Sequence, residues 1–274
     1  MQARSILSPT SGFIAEAGFS HSLTPARNCT FGCTYCYVPT MGIYGGLKPD
    51  DWRRWGQFTT FKSNAAELAA HELRPGQRIY CSPLVDPYQP AEAGEQLMPA
   101  ILRAVIANPP GLFAIQTRGP LILRDLDLLQ KIPRLRVSFS ITTNRDEIRC
   151  LYEPHCAPNA ERLEVIRALR SAGIEVYATL APLLPCDPEE LARAAIEASG
   201  RDLIGDPFHI RETKRSGATT RDAAFRIAEV QGHREWFDAG FQRETVERIR
   251  AAARALGFGF DTGPAGFAKL VKTA

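Results

Sequence analysis

The chain has 274 residues, 45% of them hydrophobic and 23% charged, a balance that supports a packed interior and argues against a disordered chain. No apolar run approaches the roughly 18 residues that a membrane helix needs, and the first residues lack a long apolar stretch, so neither a span nor a secretory leader is expected. The formal charge of +3 lies entirely in residues 201–274, with 13 Lys and Arg against 10 Asp and Glu, while residues 1–200 are balanced; this admits either a nucleic-acid surface or solvated arginine-rich helix faces.

In chain order, residues 1–20 read as an irregular N-terminal segment, with Ser8-Pro9 and Ser11-Gly12 as turn signals. Residues 21–27 read as a first strand that delivers a cysteine-rich loop. A Gly/Pro-punctuated stretch follows to Lys62, holding Gly42, Gly45, Gly46 and Pro49, with Trp52, Trp55 and Phe58 to pin it down. Ser63 is the expected N-cap of a helix that Pro75-Gly76 ends. Strands are expected at 78–82, 112–117, 135–142, 174–180 and, more weakly, 202–205. Helices are expected at 91–107, 121–131, 144–151, 159–172 (with Gly173 as its stop) and 188–199, and over most of 219–256 with a break near Gly232. Strands alternating with helices at this spacing imply parallel βα units, and about six of them fall short of a full eight-stranded barrel. In such architectures reactive residues gather at the C-terminal ends of strands. Those ends carry Cys29 to Cys36, Cys81-Ser82, Thr117-Arg118, Ser140 to Thr142 and Ala181-Pro182.

The run Asn28-Cys29-Thr30-Phe31-Gly32-Cys33-Thr34-Tyr35-Cys36-Tyr37 places three cysteines in a Cys-x3-Cys-x2-Cys pattern. Three thiolates this close in sequence can converge on one metal centre. A cubane of four irons and four sulfides needs four ligands, so three cysteines leave one iron open to a substrate or cofactor. Zinc is the competing occupant, but structural zinc sites recruit a second ligand pair downstream. No second Cys-x2-Cys and no His-x3-His follows. Unligated free thiols are the third reading. Seven cysteines, three of them clustered as ligands, also argue for a reducing, cytoplasmic setting rather than disulfides.

The motif resembles the signature of the radical S-adenosylmethionine (SAM) enzymes. The resemblance implies a 4Fe–4S cluster on Cys29, Cys33 and Cys36, SAM chelated to the open iron, and one-electron cleavage to methionine and a 5′-deoxyadenosyl radical. It implies a partial (β/α)6 barrel over residues 21–210, with residues 211–274 as a helical extension packed on it. A second stretch, Tyr80-Cys81-Ser82-Pro83-Leu84-Val85-Asp86-Pro87-Tyr88-Gln89-Pro90-Ala91-Glu92, is similar to the Asp-Pro-Tyr-Gln-Pro-x-Glu element of the spore photoproduct lyase-like branch. Lys62 to Leu68, Arg124 to Leu129 and Glu153-Pro154 match as well, and the similarity runs from about residue 25 to residue 190 before it fades.

That branch implies roles for single residues. Tyr35 lies near the adenine. Ser82 and Ser140 contact SAM, and Arg118 stands where relatives carry lysine near the SAM carboxylate; arginine keeps the charge with a changed geometry. Thr117, Thr142 and Asp86 are candidates for sugar or amino-acid contacts, and the backbone of Ala181 for adenine. Cys81 matches a cysteine that returns a hydrogen atom to a thymine radical, with Tyr37 as a relay. The weak S–H bond suits that work, although a small buried strand residue is an equal reading of Cys81. The implied substrate is a cross-linked thymine pair in damaged DNA, with a peptide, RNA or small molecule as the alternative. The implied partner is a one-electron donor such as flavodoxin or ferredoxin, and nothing in the sequence specifies an oligomeric state. Cys150, Cys156 and Cys186 fit no compact ligand loop, and His21, His71, His155, His209 and His233 show no metal spacing. Arg211, Lys214, Arg215 and Arg221 surround a Ser216-Gly217 turn, where they form either a phosphate grip or a solvated loop.

Overall fold

The computed structural model describes residues 1–41, 54–209 and 220–272. The sequence features at Gly42, Gly45, Gly46, Pro49, Trp52, Arg211, Lys214, Arg215, Ser216 and Gly217 lie outside the described residues. The strands are β1 (Leu7–Pro9), β2 (His21–Leu23), β3 (Ala26–Arg27), β4 (Thr60–Phe61), β5 (Arg78–Cys81), β6 (Leu112–Thr117), β7 (Leu135–Ser140), β8 (Val176–Leu183), β9 (Leu203–Pro207) and β10 (Phe260–Thr262). The α-helices are α1 (Gly12–Glu16), α2 (Ala65–Glu72), α3 (Glu92–Glu95), α4 (Leu97–Ala107), α5 (Leu126–Leu129), α6 (Asp146–Tyr152), α7 (Asn159–Ser171), α8 (Pro188–Ser199), α9 (Asp222–Gln231), α10 (Ala239–Ala255) and α11 (Gly263–Phe267).

Among the described residues the main sheet runs β1-β2-β5-β6-β7-β8-β9-β10. Every neighbouring pair is parallel except β1 with β2. Parallel neighbours need long crossovers, and helices supply them from β5 onward. The six strands β2, β5, β6, β7, β8 and β9 form the partial barrel that the strand–helix alternation predicts. The C-terminal region is helical, but it returns one strand, β10, to the sheet beside β9. Residues 1–20 are likewise more ordered than their turn signals imply, because they contribute β1 and α1.

Local chemistry explains where the elements start and stop. The strand expected over 21–27 is divided at Pro25, which has no N–H for the ladder; β3 then turns away to pair with β4. The helix expected over 91–107 breaks at Gln96, whose φ of 51° is left-handed. Helix α2 begins one residue after Asn64 rather than after Ser63, and the Asn64 amide is spent on the backbone of Ala3, accepting from its N–H at 2.9 Å and donating to its carbonyl at 2.9 Å. Helix α8 follows the usual rules: the Asp187 carboxylate accepts from Glu190 N at 2.9 Å, Pro188 opens the first turn, and Gly200 closes the helix at φ 64°.

Side chains alternate across each strand. One face of β5 to β9, bearing Ile79, Phe113, Ile115, Val137, Phe139, Ala178 and Leu180, packs in the apolar layer shared with α4, α7 and α8. The other, concave face has two storeys. Near the strand starts it is apolar: Tyr80, Leu112, Ala114, Tyr177 and Ile204 meet Phe19, Phe267 and Leu270. Phe13, in α1, meets Phe267, in α11, edge to face at 5.2 Å, so two helices from opposite ends of the sequence close the barrel floor. Above the floor the concave face turns polar. The Tyr80 hydroxyl donates to Gln116 Oε1 at 2.8 Å, and Gln116 Nε2 donates to Ser140 Oγ at 2.8 Å. The strand C-termini, with the cysteine loop, lie at the opposite end.

Candidate functional site

The cysteine loop leaves β3 through Asn28, a buried residue with φ 64°. Two successive turns shape it. Gly32 N donates to Cys29 O at 3.3 Å and Cys36 N donates to Cys33 O at 3.2 Å, so each gap between cysteines is folded into one turn. Gly32 has φ 62°, and a Cβ on Gly56 would lie 2.6 Å from the Gly32 Cα. The loop is thus braced by a backbone-to-backbone approach that only glycine at both places permits.

The Asp-Pro-Tyr-Gln-Pro-x-Glu stretch is the bracket that holds this loop. Gln89 Oε1 accepts from Thr30 N at 2.8 Å while Gln89 Nε2 donates to Asn28 O at 3.3 Å. Asp86 fastens the bracket to β6: Oδ1 accepts from Thr117 Oγ1 at 2.6 Å and from Tyr88 N at 2.9 Å, and Oδ2 accepts from Arg118 N at 2.8 Å. Glu92 accepts from Arg124 Nη2 at 3.0 Å and from Met98 N at 2.8 Å. On the far side, Thr34 N donates to Tyr152 O at 2.9 Å.

The sequence-derived candidates divide between the two faces. Arg118, Ser140 and Thr142 point to the concave side, where Ser82 is buried beside Thr24, with Oγ atoms 3.4 Å apart, and Ala181 is half-buried. Tyr35 joins them from the loop. Its hydroxyl donates to Glu153 Oε1 at 2.5 Å and receives Arg118 Nη1. Thr142 Oγ1 donates to the same carboxylate oxygen at 2.9 Å. Arg118 Nη1 also donates to Cys33 Sγ at 3.5 Å. Cys81 and Thr117 face the other way. Cys81 is fully buried and pairs in register with Leu23 and Ile115 of the helix-side layer, and the Thr117 hydroxyl is committed to Asp86. Tyr37 is half-buried and stacks on His209, with ring centroids 5.6 Å apart.

The three thiols sit in unequal fields. The neighbouring Cys156 thiol and then the Arg118 guanidinium hold Cys33 below the usual thiol value, against the opposing effect of burial. Burial pushes Cys29 up, and it pushes Cys36 up to about 12. Burial also lifts Tyr37 to about 12, helped by Cys36 and Asp206. For Glu153 burial acts upward, but Arg162 and Arg118 outweigh it and hold the carboxyl at about 2.

Arg162, Glu153 and Gln89 escaped assignment from sequence. Glu153 and Gln89 stood inside recognised stretches, and the available signal for Arg162 was its place on the apolar stripe of α7, in phase with Val165, Ile166 and Leu169. Cys150 is exposed, Cys186 half-buried and Cys156 buried beside Cys33. Among the described residues no three His, Cys, Asp or Glu side chains converge as a single metal ion requires.

A family model of the radical SAM superfamily matches residues 23–197. The chain belongs to the radical SAM superfamily. An uncharacterised protein of Methanocaldococcus jannaschii is 27% identical over 197 residues, which cover 72% of this chain and 67% of that protein. An uncharacterised protein of Mycobacterium tuberculosis is 31% identical over 179 residues, 62% of this chain, and the match spans only 52% of that relative's length. Among solved structures, a spore photoproduct lyase variant superposes with TM-score 0.61 at 15% identity, covering 94% of this chain and 80% of the other. A second, holding a dinucleoside spore photoproduct, gives TM-score 0.55 at 16% identity over 87% and 79%. At such identities the likeness speaks for the fold.

The residues present fit the radical SAM cofactors, a 4Fe–4S cluster and SAM. A zinc ion needs all its donors about 2.3 Å from one point, whereas each cysteine of a cubane binds its own iron. The loop has the second character: three unpaired thiols with Cys33 as their common neighbour, on a backbone kept free of side chains at Gly32 and Gly56. The concave face beside it offers a guanidinium and hydroxyls, the donors a carboxylate and a ribose require.

Proposed function

We propose that this radical SAM enzyme breaks a carbon–carbon bond in a thymine lesion of DNA, in the manner of spore photoproduct lyase. When bound, the cluster supplies the electron that splits SAM and delivers a 5′-deoxyadenosyl radical. In this reading Cys29, Cys33 and Cys36 hold the cluster. Ser82, Arg118, Ser140, Thr142 and the Ala181 backbone hold SAM, and Tyr35 lies beside the adenine. Thr117 acts one step back, since its hydroxyl and the Arg118 N–H share Asp86. Cys81 would return a hydrogen atom from its S–H to the substrate carbon radical; its thiyl radical would then take one from the Tyr37 O–H, and the Tyr37 oxygen radical would regain one from the methyl group of 5′-deoxyadenosine. Burial keeps the Cys81 thiol protonated, as a hydrogen-atom donor must be.

The observation that carries the reading is the meeting of the cysteine loop with Arg118, Tyr35 and Thr142 at the strand C-termini of a barrel whose fold resembles that of spore photoproduct lyase. A base worked on by such a site has to leave its stack. A second reading keeps the cofactor chemistry and changes the substrate to a peptide, RNA or small metabolite. Cys81 favours it: the side chain is fully buried on the helix side of β5, in register with Leu23 and Ile115.

The test is anaerobic reconstitution followed by incubation with SAM, dithionite and ultraviolet-irradiated DNA. The lesion reading expects repaired thymine from wild-type protein, with SAM cleavage kept and repair lost in Cys81→Ala. SAM cleavage without any change in the irradiated DNA selects the second reading.

A further inference from the structure

We infer that Glu153 and Arg162 form a buried positioning unit that fixes the Arg118 guanidinium on Cys33, and so sets how readily the cluster accepts an electron; this rests on the cluster assignment above. Glu153 and Arg162 are both fully buried. Glu153 Oε2 accepts from Arg162 Nη1 at 2.6 Å, and Arg162 is itself anchored by donating from Nε to Ser140 O at 3.0 Å. Glu153 Oε1 accepts from Arg118 Nη1 at 2.5 Å, and the same nitrogen reaches Cys33 Sγ at 3.5 Å.

The charges explain why two arginines are needed. Glu153 alone would cancel the charge of Arg118 at the sulfur. Arg162, behind the carboxylate, neutralises it, so two cations face one anion and the surplus positive charge falls on the Cys33 side. A buried ion pair is tolerable only when its remaining donors and acceptors are met. Here Tyr35, Thr142 and the Ser140 carbonyl take part in meeting them. Hydrogen bonds and positive charge at a ligand sulfur favour the reduced, more negative cluster and raise its potential. The side chains of Arg162 and Glu153 make no hydrogen bond to Cys29, Cys33 or Cys36 among the described residues, and Arg118 stands between them and Cys33 Sγ, so they are positioning residues.

The readout is the midpoint potential of the reconstituted cluster, followed by electron paramagnetic resonance in a dithionite titration without substrate. Arg118→Met leaves the Glu153–Arg162 pair in place and is expected to lower the potential by about tenfold in the reduction equilibrium, about 59 mV for one electron. Arg118→Lys is expected to recover part of that loss. Glu153→Asp keeps the negative charge but withdraws it by one methylene, and is expected to lower the potential in the same direction. The double variant Glu153→Asp/Arg118→Met is expected to fall no further than Arg118→Met, because both changes remove one contact. A wild-type potential in Arg118→Met overturns the inference, whether or not the Glu153 variant folds. So does a wild-type or raised potential in Glu153→Asp, which would leave Glu153 as a plain structural charge. A wild-type protein that binds no cluster, with no visible charge-transfer absorption, instead sinks the cofactor assignment on which the inference stands.

Discussion

Cys33 is the residue on which the site converges. It lies next to Cys156, accepts from Arg118 and shares influence with both Cys29 and Cys36. Cys33→Ala is expected to abolish both the visible absorption of the cluster and SAM cleavage, read by optical titration and by chromatography of 5′-deoxyadenosine. Cleavage at the wild-type rate would remove the loop from the chemistry altogether. At this scale the sequence was an uneven guide. Cysteine spacing exposed the loop, because ligands on one short segment leave a periodic mark. The candidates at the strand ends were recognisable as a set, yet their faces were not. Thr117 and Arg118 are adjacent, and a period of two sends neighbours to opposite sides of the sheet; the concave side shows itself only when helices cover the other. Glu153 lies just past the end of α6 and Arg162 in α7, and only the folded chain makes them a pair.

The elements around the loop act as supports whose failure should be measurable. At Gly56 an added methyl group would meet the Gly32 backbone, and its φ of 92° is itself unfavourable for an L side chain. Gly56→Ala is therefore expected to cost about 1 to 2 kcal/mol from backbone conformation alone, and to reduce iron bound per chain in a colorimetric assay. Gln89→Ala would strip Thr30 N of its partner and leave Asn28 O with the Thr59 hydroxyl alone. Leaving the Thr30 N–H unpaired costs about 1 to 3 kcal/mol, seen as a lower denaturation midpoint together with slower cluster reconstitution; an unchanged midpoint would deny Gln89 its bracket role. The strand and helix pattern was the most readable level, since β6, β7, β8 and α8 follow strong apolar periodicity and clear end signals. Boundaries drifted where a single backbone feature decided them, as at Pro25 and Gln96. Strand β10 was hidden because three residues, Phe260 to Thr262, carry no period of their own and pair only with distant Leu203 to Gly205.

At the scale of the whole molecule, one acid group ties stability to pH. Glu153 titrates at about 2 in the folded chain against 4.5 when unperturbed. A depressed carboxyl stabilises the fold fully above its unfolded pKa, and that contribution is lost as pH falls through the folded value. The denaturation midpoint is expected to be flat with respect to this group above about pH 5 and to decline toward pH 2, with a shallower decline in Glu153→Gln; parallel wild-type and variant curves would rule out the linkage. The barrel floor is the second global determinant. Phe267 is buried against Phe13 and Tyr80, and Phe267→Ala is expected to cost about 3 to 5 kcal/mol, measured in urea.

The floor also imposes a timetable. Its stopper is assembled from α1, translated before β2, and α11, translated after β10. Until Gly263 to Leu270 emerge from the ribosome, the nascent basin has strands but no base, and Tyr80 and Tyr177 face water from below. A chain halted before Gly263 is expected to bind a hydrophobic dye strongly, by fluorescence, and to load iron poorly. Iron loading is therefore expected to follow the docking of α11 rather than precede it.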